Sequence, residues 1–458
     1  RNIASTGNAD ICTISCWFKR GTLGVEQALF GGWRSSTTRF QVRFQGSDNI
    51  DVEWGYSSSW YSLVTNRKFR DPSAWMHLVL AIDSTQGTPA NRAKLYINGV
   101  QETSFSTENY MPQNNDTLMT TSGDEMIVGG ANASSSSGAG NHNNWFKGEQ
   151  SHFQFVDGLQ LAPTEFGETD ATDGMWKIKT GSYATAGTNG FHLKMEDSSN
   201  LDLDSSSNGH TFTTEGTLTA TKDNPSNNFC TLNFLRKSTN GTNTFSNGNT
   251  IFSNTGGTGW HQSGGTLEAT TGKYYYEADI NYTPGSSNSQ FGWGATEMQQ
   301  ITQNLNQPLG KLDVSGGAVV NYAPSTGFYD TGAYMSSTTS SHDNQANGSF
   351  AGAASGDVIM IAIDLDNGKF YVGKNGTWDS TSSSNPSAGS GGKSFTTGGF
   401  SYSPWVASYN GAAVRINFGN GYFGSSAIGS AVSAGEGLWK YTPPTNYVAF
   451  CTKNINSA

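Results

Sequence analysis

The chain has 458 residues, a formal net charge of −10 at pH 7, 14% charged residues and 57 glycines. A chain longer than roughly 300 residues is expected to form at least two globular units with separate cores. The acidic balance, with no run of Lys or Arg longer than two, excludes a basic surface for nucleic acid. No apolar stretch approaches the roughly 20 residues that cross a bilayer, so membrane insertion is not expected.

The first third of the chain alternates short apolar runs with turn residues. These runs have a period of two and lie at 11–18, 40–44, 50–54, 75–83, 93–100, 126–130 and 146–155. Asn98-Gly99 supplies the positive φ of a tight hairpin, and Val100 begins the return strand. Short strands that repeat with turn signals between them predict an antiparallel β-sandwich.

Several of these strands occur in a familiar order. The order is Trp17-Phe18, Trp75–Val79, Leu95–Val100, Ile127–Gly130 and Phe146–Phe155. It resembles the laminin-G or concanavalin A-like jelly roll over about residues 1–165. Residues 166–222 are rich in Asp, Ser, Gly and Thr, but their apolar islands predict a late strand and surface loops packed on this sandwich. We therefore assign residues 1–222 to the first unit, with 166–222 as a loop-rich extension.

A second unit is predicted over residues 223–458, after the turn-forming segment Asp223–Ser226. Its predicted strands include Gly272–Ile280, Phe291–Ala295, Gly356–Gly376, Tyr402–Tyr409 and Ala413–Gly419. Their G-K-x-Y-x-E, G-W, D-x-D-x-G-K and N-F-G motifs resemble the SPRY domain. The expected fold class is therefore all-β, with two antiparallel β-sandwiches, a concanavalin A-like jelly roll followed by a SPRY-like sandwich.

One segment is repeated within the chain. Asn224–Asn233 is echoed by Pro444–Asn454, and both contain a Phe-Cys-Thr-x-Asn motif. We interpret the repeat as a modular connector strand, and we expect a further domain after Ala458. If the two copies pair, Cys230 and Cys451 lie near one another, and two reduced, buried thiols are favoured over a disulfide.

The sequence contains few signs of catalysis. Retaining glycoside hydrolysis needs two carboxylates about 5 Å apart, which glucanase sandwiches place on alternate residues of one strand. Glu277-Ala278-Asp279 is the candidate, but it lacks a third carboxylate and lies where SPRY domains carry a structural Glu. His77 lies in an apolar strand and is interpreted as a packed histidine. The sequence therefore predicts a protein that is not an enzyme.

A cofactor is not expected, and calcium is the one metal for which ligands are available. Asp202 and Asp204 lie in a polar segment with hard oxygen ligands, but the spacing differs from an EF-hand. The favoured interpretation is that both are solvated turn carboxylates. Asp364 and Asp366 are likewise interpreted as turn formers.

Aromatic side chains near polar turns are candidates for ligand binding, because aromatic faces stack on sugar rings while amides and carboxylates bind hydroxyl groups. The strongest candidates are Trp54, Tyr56, Trp60 and Tyr61, which surround one polar turn. Weaker candidates are Trp33, Arg34 and Trp145 in the first unit, and Trp260, His261, Tyr409 and Asn410 in the second. The alternative is that these aromatics fold over the edge of their own sandwich.

The tandem arrangement resembles fibre and appendage proteins of tailed bacteriophages, marine ones in particular. The resemblance implies a protein on the virion surface, outside cells, that recognises a host-surface glycan or protein. It also implies contacts with other virion proteins and a homo-oligomer. The alternatives are a secreted polysaccharide-binding protein or glycoside hydrolase fragment, and an architectural virion component without a ligand.

Overall fold

The computed structural model describes most of the chain. It describes residues 1–116, 120–131, 142–172, 174–179, 187–238, 241–255, 260–284, 288–295, 311–314, 318–322, 325–330, 334–337, 342–345 and 352–455. For residues 311–314, 318–322, 325, 335–337 and 342–345 it describes the backbone alone. The chain divides into two compact units, Arg1–Ala220 and Thr221–Ala458, and each unit has its own apolar core.

The first unit is built from two antiparallel sheets. Its strands within the described residues are β1 (Ile11–Arg20), β2 (Gln27–Ser35), β3 (Thr38–Phe44), β4 (Asn49–Tyr56), β5 (Ser59–Lys68), β6 (Trp75–Asp83), β7 (Ala93–Ile97), β8 (Val100–Gln101), β9 (Phe105–Asn109), β10 (Glu125–Val128), β11 (Gly148–Asp157), β12 (Gly167–Thr169), β13 (Trp176–Ile178) and β14 (Phe191–Leu193). The front sheet has the order β10-β2-β3-β4-β5-β9, and the back sheet has the order β14-β11-β1-β6-β7-β8.

Alternation of side chains decides which face of each sheet is buried. Phe40, Val42 and Phe44 of β3 point into the core, where they meet Phe18 and other inward-facing residues of the back sheet. The intervening residues of each strand therefore lie on the outer faces. The tight hairpin after β7 forms as predicted, with Asn98 at φ 49° and Gly99 at φ 78°.

The extension after residue 165 packs on the back sheet. Phe191–Leu193 pairs with β11 and so adds the predicted late strand to the edge of that sheet. The β12-β13 hairpin brings Trp176 onto His77 of β6, with ring centroids 6.1 Å apart. Trp17, the cross-strand neighbour of His77 on β1, stacks on the His77 ring at 4.7 Å. The outer face of the back sheet is thereby covered.

The second unit also contains two large antiparallel sheets. Its strands within the described residues are β15 (Leu232–Lys237), β16 (Thr242–Ser246), β17 (Ile251–Thr255), β18 (Trp260–Gly265), β19 (Lys273–Asp279), β20 (Asn288–Ala295), β21 (Lys311–Val314), β22 (Ala318–Tyr322), β23 (Ser325–Tyr329), β24 (Tyr334–Ser337), β25 (His342–Gln345), β26 (Val358–Asp364), β27 (Lys369–Lys374), β28 (Thr377–Trp378), β29 (Lys393–Ser394), β30 (Tyr402–Tyr409), β31 (Val414–Asn417), β32 (Tyr422–Phe423), β33 (Ser426–Ala427), β34 (Val432–Ala434), β35 (Gly437–Trp439) and β36 (Val448–Ala449). One sheet has the order β15-β18-β30-β20-β23-β24-β25, and the other has the order β16-β17-β31-β19-β26-β27-β28. Trp293, Tyr274 and Phe450 pack together in the core between them.

The two copies of the repeated connector pair with one another. Phe229 and Cys451 form an antiparallel bridge, and Cys230 N–H donates to the Phe450 carbonyl at 2.8 Å. Neighbouring residues of a strand point to opposite faces, so Cys230 enters the main core while Cys451 packs with Phe229 in a separate cluster. Both thiols are buried and unbridged.

The regular secondary structure of the described chain is almost all β-strand, so the predicted all-β class with antiparallel β-sandwiches is confirmed. The helical segments are short: α1 (Pro89–Arg92), α2 (Thr452–Ile455), and 3-10 turns at Pro163–Glu165 and Pro386–Ala388. In the part of the chain that the structure describes, no helix has the length and apolar character to cross a membrane.

Candidate functional site

The outer face of the front sheet brings two tryptophans into one row across four strands. Trp33 of β2 lies opposite Arg39 of β3, Arg39 lies opposite Gly55 of β4, and Gly55 lies opposite Trp60 of β5. With neighbouring strands about 4.8 Å apart, the row spans roughly 14 Å, which is longer than a single sugar ring. We call this surface of β2 to β5 the platform.

Gly55 allows the Trp60 ring to lie flat on the sheet. An ideal Cβ at residue 55 would lie 2.3 Å from Cζ3 of Trp60, so any side chain there would displace the ring. The guanidinium carbon of Arg39 lies 4.6 Å from the ring centroid, which is within the range of a cation–π contact. Trp60 remains 41% exposed, so part of its ring is open to solvent.

Beside this row, further along β3 and β4, the platform has a charged floor in which Gln41 lies opposite Glu53 and Arg43 lies opposite Asp51. Arg43 Nη2 contacts Asp51 Oδ2 at 2.9 Å and Glu53 Oε2 at 3.0 Å. Arg39 approaches Glu53 at 3.5 Å, and Gln41 donates to the same carboxylate at 3.3 Å. Burial lowers the pKa of Arg43, but Glu53 and Asp51 outweigh it and hold that pKa above its ordinary value.

The pair Asp51 and Glu53 was missed by the sequence analysis. The signal was available, because Ile50, Val52 and Trp54 predict one buried face and so place the two acids together on the other. Both carboxylates also have polar partners, since Ser62 donates to Asp51 Oδ1 at 2.6 Å. The floor is therefore a connected network of charges and hydrogen bonds.

Trp145 lies at the β2 side of the platform. Its ring packs on Gly130, where an ideal Cβ would lie 2.7 Å from the ring, and it is 41% exposed. The neighbouring Asn144 donates to Glu26 Oε1 at 2.7 Å, and Arg43 donates to the same oxygen at 2.7 Å. The Trp145 loop is thus tied to the charged floor.

The structure corrects several predicted site residues of the first unit. Trp54 is fully buried and packs on Phe40 in the core, because it alternates inward along β4. Tyr61 lies opposite Trp54 and packs partly against the same core. The prediction of Trp54 as an exposed binding aromatic was therefore wrong, whereas Tyr61 is half-buried and its role stays a prediction. Tyr56 is 37% exposed, but it shares the inward alternation of Trp54 and lies beyond the core at the hairpin tip.

Arg34 has a structural partner. Its Nε and Nη2 donate to the two oxygens of Asp124 at 2.6 and 3.0 Å, which is a bidentate ion pair. Hydrogen bonding to Asp124 raises the pKa of Arg34. The contact fixes the end of β2 beside Trp33, so Arg34 supports the platform through the backbone.

The predicted aromatics of the second unit form a separate cluster. Trp260 contacts Tyr409 at 5.3 Å and Tyr329 at 5.4 Å between ring centroids, and all three are partly exposed. His261 is 2% exposed and its Nδ1 bonds to Asn243 at 2.9 Å, so the prediction of an exposed histidine was wrong. Asn410 is exposed at the turn after β30, with φ 54°.

The carboxylates of the second unit hold the fold together. Glu277 is buried and accepts four hydrogen bonds, from Tyr275 Oη, Asn417 Nδ2 and the backbone N–H groups of Lys440 and Tyr441, at 2.8 to 3.0 Å. Burial raises its pKa, and these bonds oppose the rise. Asp279 is paired with Arg415. Glu277 is thus fully used by neighbouring groups, and Asp279 has an ion-pair partner.

The turn carboxylates of the second unit have local partners as well. Asp364 pairs with Lys273 at 2.8 Å and accepts from both nitrogens of Asn367 at 2.9 to 3.0 Å. Asp366 accepts from Gly272 N–H at 2.8 Å. These contacts close the turns at the ends of β19 and β26, as the turn-forming interpretation predicts.

His77 and Ser15 form a hydrogen bond on the covered face of the back sheet. The direction of that bond does not suit a nucleophile and its general base. The Trp176 indole N–H donates to His77 Nδ1 at 2.9 Å, so the ring proton lies on Nε2. That Nε2 donates to Ser15 Oγ at 2.8 Å and does not accept its proton. Burial lowers the pKa of His77 to about 3.

Asp204 stabilises the loop that contains it by accepting backbone hydrogen bonds. It accepts from the backbone N–H groups of His192, Ser206 and His210 at 2.8 to 2.9 Å. Burial raises its pKa, but these bonds outweigh it and hold the pKa below the ordinary value. Asp202 accepts from Thr214 at 3.0 Å. Within the described ranges no three His, Cys, Asp or Glu side chains form a metal-binding group.

Comparison with known proteins identifies the first sandwich. Residues 2–155 match the Concanavalin A-like lectin/glucanases superfamily. Over these residues the first unit is similar to lectin/glucanase-type β-sandwiches. No curated protein sequence matches the chain.

Three solved structures illustrate the structural similarity. The SPRY domain of human HERC1 is 13% identical, with a TM-score of 0.28, and the match covers 40% of this chain and 96% of that one. Domain 4 of AbnA, a GH43 extracellular arabinanase from Geobacillus stearothermophilus in complex with arabinotriose, is 25% identical with a TM-score of 0.26, covering 34% of this chain and 65% of that one. The Ruminococcus gnavus IT-sialidase CBM40 bound to alpha2,3 sialyllactose is 15% identical with a TM-score of 0.24, covering 34% and 78%.

Proposed function

We propose that the chain is a carbohydrate-binding protein and that the platform of the first unit is its glycan site. The observation that carries the proposal is the row of Trp33, Arg39 and Trp60 on the outer face of a lectin/glucanase-type sandwich. Aromatic faces bind the apolar side of a pyranose ring, and the polar floor supplies hydrogen-bond partners for its hydroxyl groups.

The charges of the floor favour a neutral or amine-bearing sugar. Arg39 and Arg43 supply two positive charges, while Glu26, Asp51 and Glu53 supply three negative ones. The carboxylates therefore outnumber the guanidinium groups by one. An acidic glycan would add like charge to this network, whereas hydroxyl or ammonium donors would find acceptors.

We propose that the site binds glycans without cleaving them. Asp51 and Glu53 share Arg43 as a partner, and such a network suits fixed recognition better than the delivery of a proton. The same pair of acids on one face is also the observation that favours a second candidate function, glycoside hydrolysis. No resident cofactor is part of the proposal, and calcium at Asp202 and Asp204 stays a prediction.

We further propose that the protein is an appendage of a bacteriophage virion, exposed outside the cell, and that it recognises a host-surface glycan. The low charge content and the abundance of glycine support a long-lived extracellular β-protein. In a homo-oligomer held by other virion proteins, several weak platforms would bind one cell surface with high avidity. A secreted polysaccharide-binding protein would use the same platform.

A glycan array with the intact chain tests binding, with and without a calcium chelator. We expect neutral or amine-bearing glycans to bind in both conditions, and acidic glycans to bind less. No binding in either condition would contradict the proposal and favour an architectural role. Incubation with laminarin and with each glycan that binds, followed by a reducing-end assay, tests cleavage. Release of reducing ends would establish the hydrolase instead.

A further inference from the structure

Glu26, which directly precedes β2, has a carboxylate that the charged floor uses only in part. Its Oε1 accepts from Arg43 Nη1 and from Asn144 Nδ2, both at 2.7 Å. Among the described residues no donor contacts its other oxygen, and 44% of the side chain is exposed. By contrast, both oxygens of Asp51 have donors, and its side chain is buried. Glu26 therefore has an unused oxygen on a side chain that solvent reaches.

The loop that contains Trp145 is fixed beside this carboxylate by backbone hydrogen bonds. The Asn144 carbonyl accepts from Ala28 N–H at 2.7 Å. On the other side of the tryptophan, Lys147 N–H donates to Gln27 Oε1 at 2.9 Å. Both bonds join the loop to the first residues of β2, so the exposed ring and the carboxylate lie on the same side of the platform. A ligand would meet both groups in fixed positions, which reduces the entropy that binding costs.

Trp60 lies well away from this carboxylate on the same surface. The Trp60 ring covers Arg39, whereas Glu26 contacts Arg43, which lies further along β3. The step from Arg39 to Arg43 along the strand is about 13 Å, on the order of two or three sugar rings. Glu53 joins the two arginines across that distance. A single sugar ring is too short to contact both Trp60 and Glu26, but an extended oligosaccharide can do so.

We propose that the platform binds an extended chain of amino sugars, in which one ring stacks on Trp60 and an ammonium group binds Glu26 beside Trp145. This inference rests on the glycan-binding function proposed above and names the class of sugar that the site takes. An ammonium group donates to the unused carboxylate oxygen, and such a charge-assisted bond is stronger than a bond between neutral groups. An N-acetylated chain presents the same ring faces without the charge, so it should bind more weakly.

Calorimetric titration of the intact chain in mildly acidic buffer tests chain length and charge separately. The probes are glucosamine oligomers from chitosan and N-acetylglucosamine oligomers from chitin, each from the monomer to the hexamer. We expect the glucosamine tetramer to bind at least about tenfold more tightly than its monomer and at least about fivefold more tightly than the N-acetylated tetramer.

The possible failures of this titration have different meanings. A glucosamine tetramer that binds no better than the N-acetylated one would overturn the ammonium contact and leave the platform in place. A tetramer that binds no better than its monomer would overturn the extended chain. If neither tetramer binds, the inference is wrong, and the glycan array decides separately whether the chain binds carbohydrate.

Variants assign the charge preference to Glu26. Glu26→Gln should weaken binding of the glucosamine tetramer at least about fivefold and change binding of the N-acetylated tetramer less than about twofold. Glu165→Gln is the matched control, because it removes an exposed carboxylate beside Phe166, which packs on the back sheet. Equal effects of the two variants would contradict the assignment. Trp60→Ala should weaken both tetramers, and unchanged binding there would contradict the platform itself.

Salt provides a second test in the wild-type protein, so the inference stays testable if Glu26→Gln disturbs the loop. Screening weakens ion pairs between accessible groups. The preference for the glucosamine tetramer over the N-acetylated one should therefore shrink as the salt concentration rises. A preference that does not change with salt would contradict an ionic contact.

Discussion

The two outer faces of the first unit use similar residues for different purposes. On the back sheet, Trp17, His77 and Trp176 form a stack that the extension closes off from solvent. On the front sheet, the row that contains Trp33 and Trp60 lies beside a charged floor, and part of the Trp60 ring stays exposed. Both faces combine tryptophan with polar partners.

The difference between the faces is set by what lies over them. A later segment of the same chain covers the back face, so its aromatic rings contribute to stability. The described part of the front face has instead a network of arginines and acids, and the tryptophan row beside it is partly exposed. We therefore expect substitutions on the back face to change stability and substitutions on the front face to change binding.

The largest expected effect on stability is that of Trp176→Ala. It removes the ring that covers His77 and the indole hydrogen bond to its Nδ1. We expect the free energy of unfolding of the first unit to fall by about 3 kcal/mol. Hydrogen exchange of the β1 and β6 amides in the intact chain measures this loss locally. Exchange as slow as in the wild type would show that the extension does not support the back sheet.

Acidification should weaken the same region. Folded His77 takes up a proton only near pH 3, because burial lowers its pKa to about 3, whereas an unfolded histidine titrates near pH 6.5. The unfolded state therefore binds more protons in this window, and stability falls as the pH drops below about 6.5. We expect His77 to account for a loss of about 2 kcal/mol between pH 7 and pH 5.

The control for this prediction is His77→Gln, measured by exchange of the same amides at both pH values. The variant lacks the titrating group, so its β1 and β6 amides should lose less stability between pH 7 and pH 5 than those of the wild type. His192, whose pKa burial also lowers to about 3, remains in both proteins and sets the background. An identical pH dependence in the two proteins would contradict the role of His77.

A smaller effect, of opposite sign, is expected at the hairpin that carries Trp60. Ser57 and Ser58 have φ values of 47° and 69°, in the left-handed region that favours glycine. Ser58→Gly should stabilise the first unit by about 0.5 to 1 kcal/mol without weakening glycan binding. Thermal unfolding and a glycan titration measure the two properties. A fall in melting temperature would show that Ser58 contributes contacts beyond the turn geometry.

Much of the fold could be predicted because burial in a sandwich leaves a period of two in the sequence. β1, β3 and β4 alternate clearly, β6 is a nearly continuous apolar run, and all four were identified. β2 and β5 were missed, since Gly31-Gly32 interrupts one and a polar end, Asn66–Lys68, weakens the other. Those two strands supply Trp33 and Trp60, so the row across the platform was not visible in the sequence.

The sequence also did not determine on which face of the front sheet each aromatic side chain lies. Trp54, Tyr56, Trp60 and Tyr61 are close in sequence, yet hairpin register sends Trp54 and Tyr61 inward and Trp60 outward. Register depends on the turn at Ser57-Ser58, which lacks the usual Asn-Gly signal. The SPRY-like character of the second unit and the virion role stay predictions.

The most direct test of the platform compares Trp60→Ala with Tyr56→Ala in a calorimetric titration of a glycan that the array identifies. Both residues are exposed aromatics of one hairpin, but Trp60 alone lies in the platform row. We predict that Trp60→Ala weakens binding at least about tenfold, while Tyr56→Ala changes it less than about twofold. Equal affinities for the two variants would contradict glycan binding at the platform.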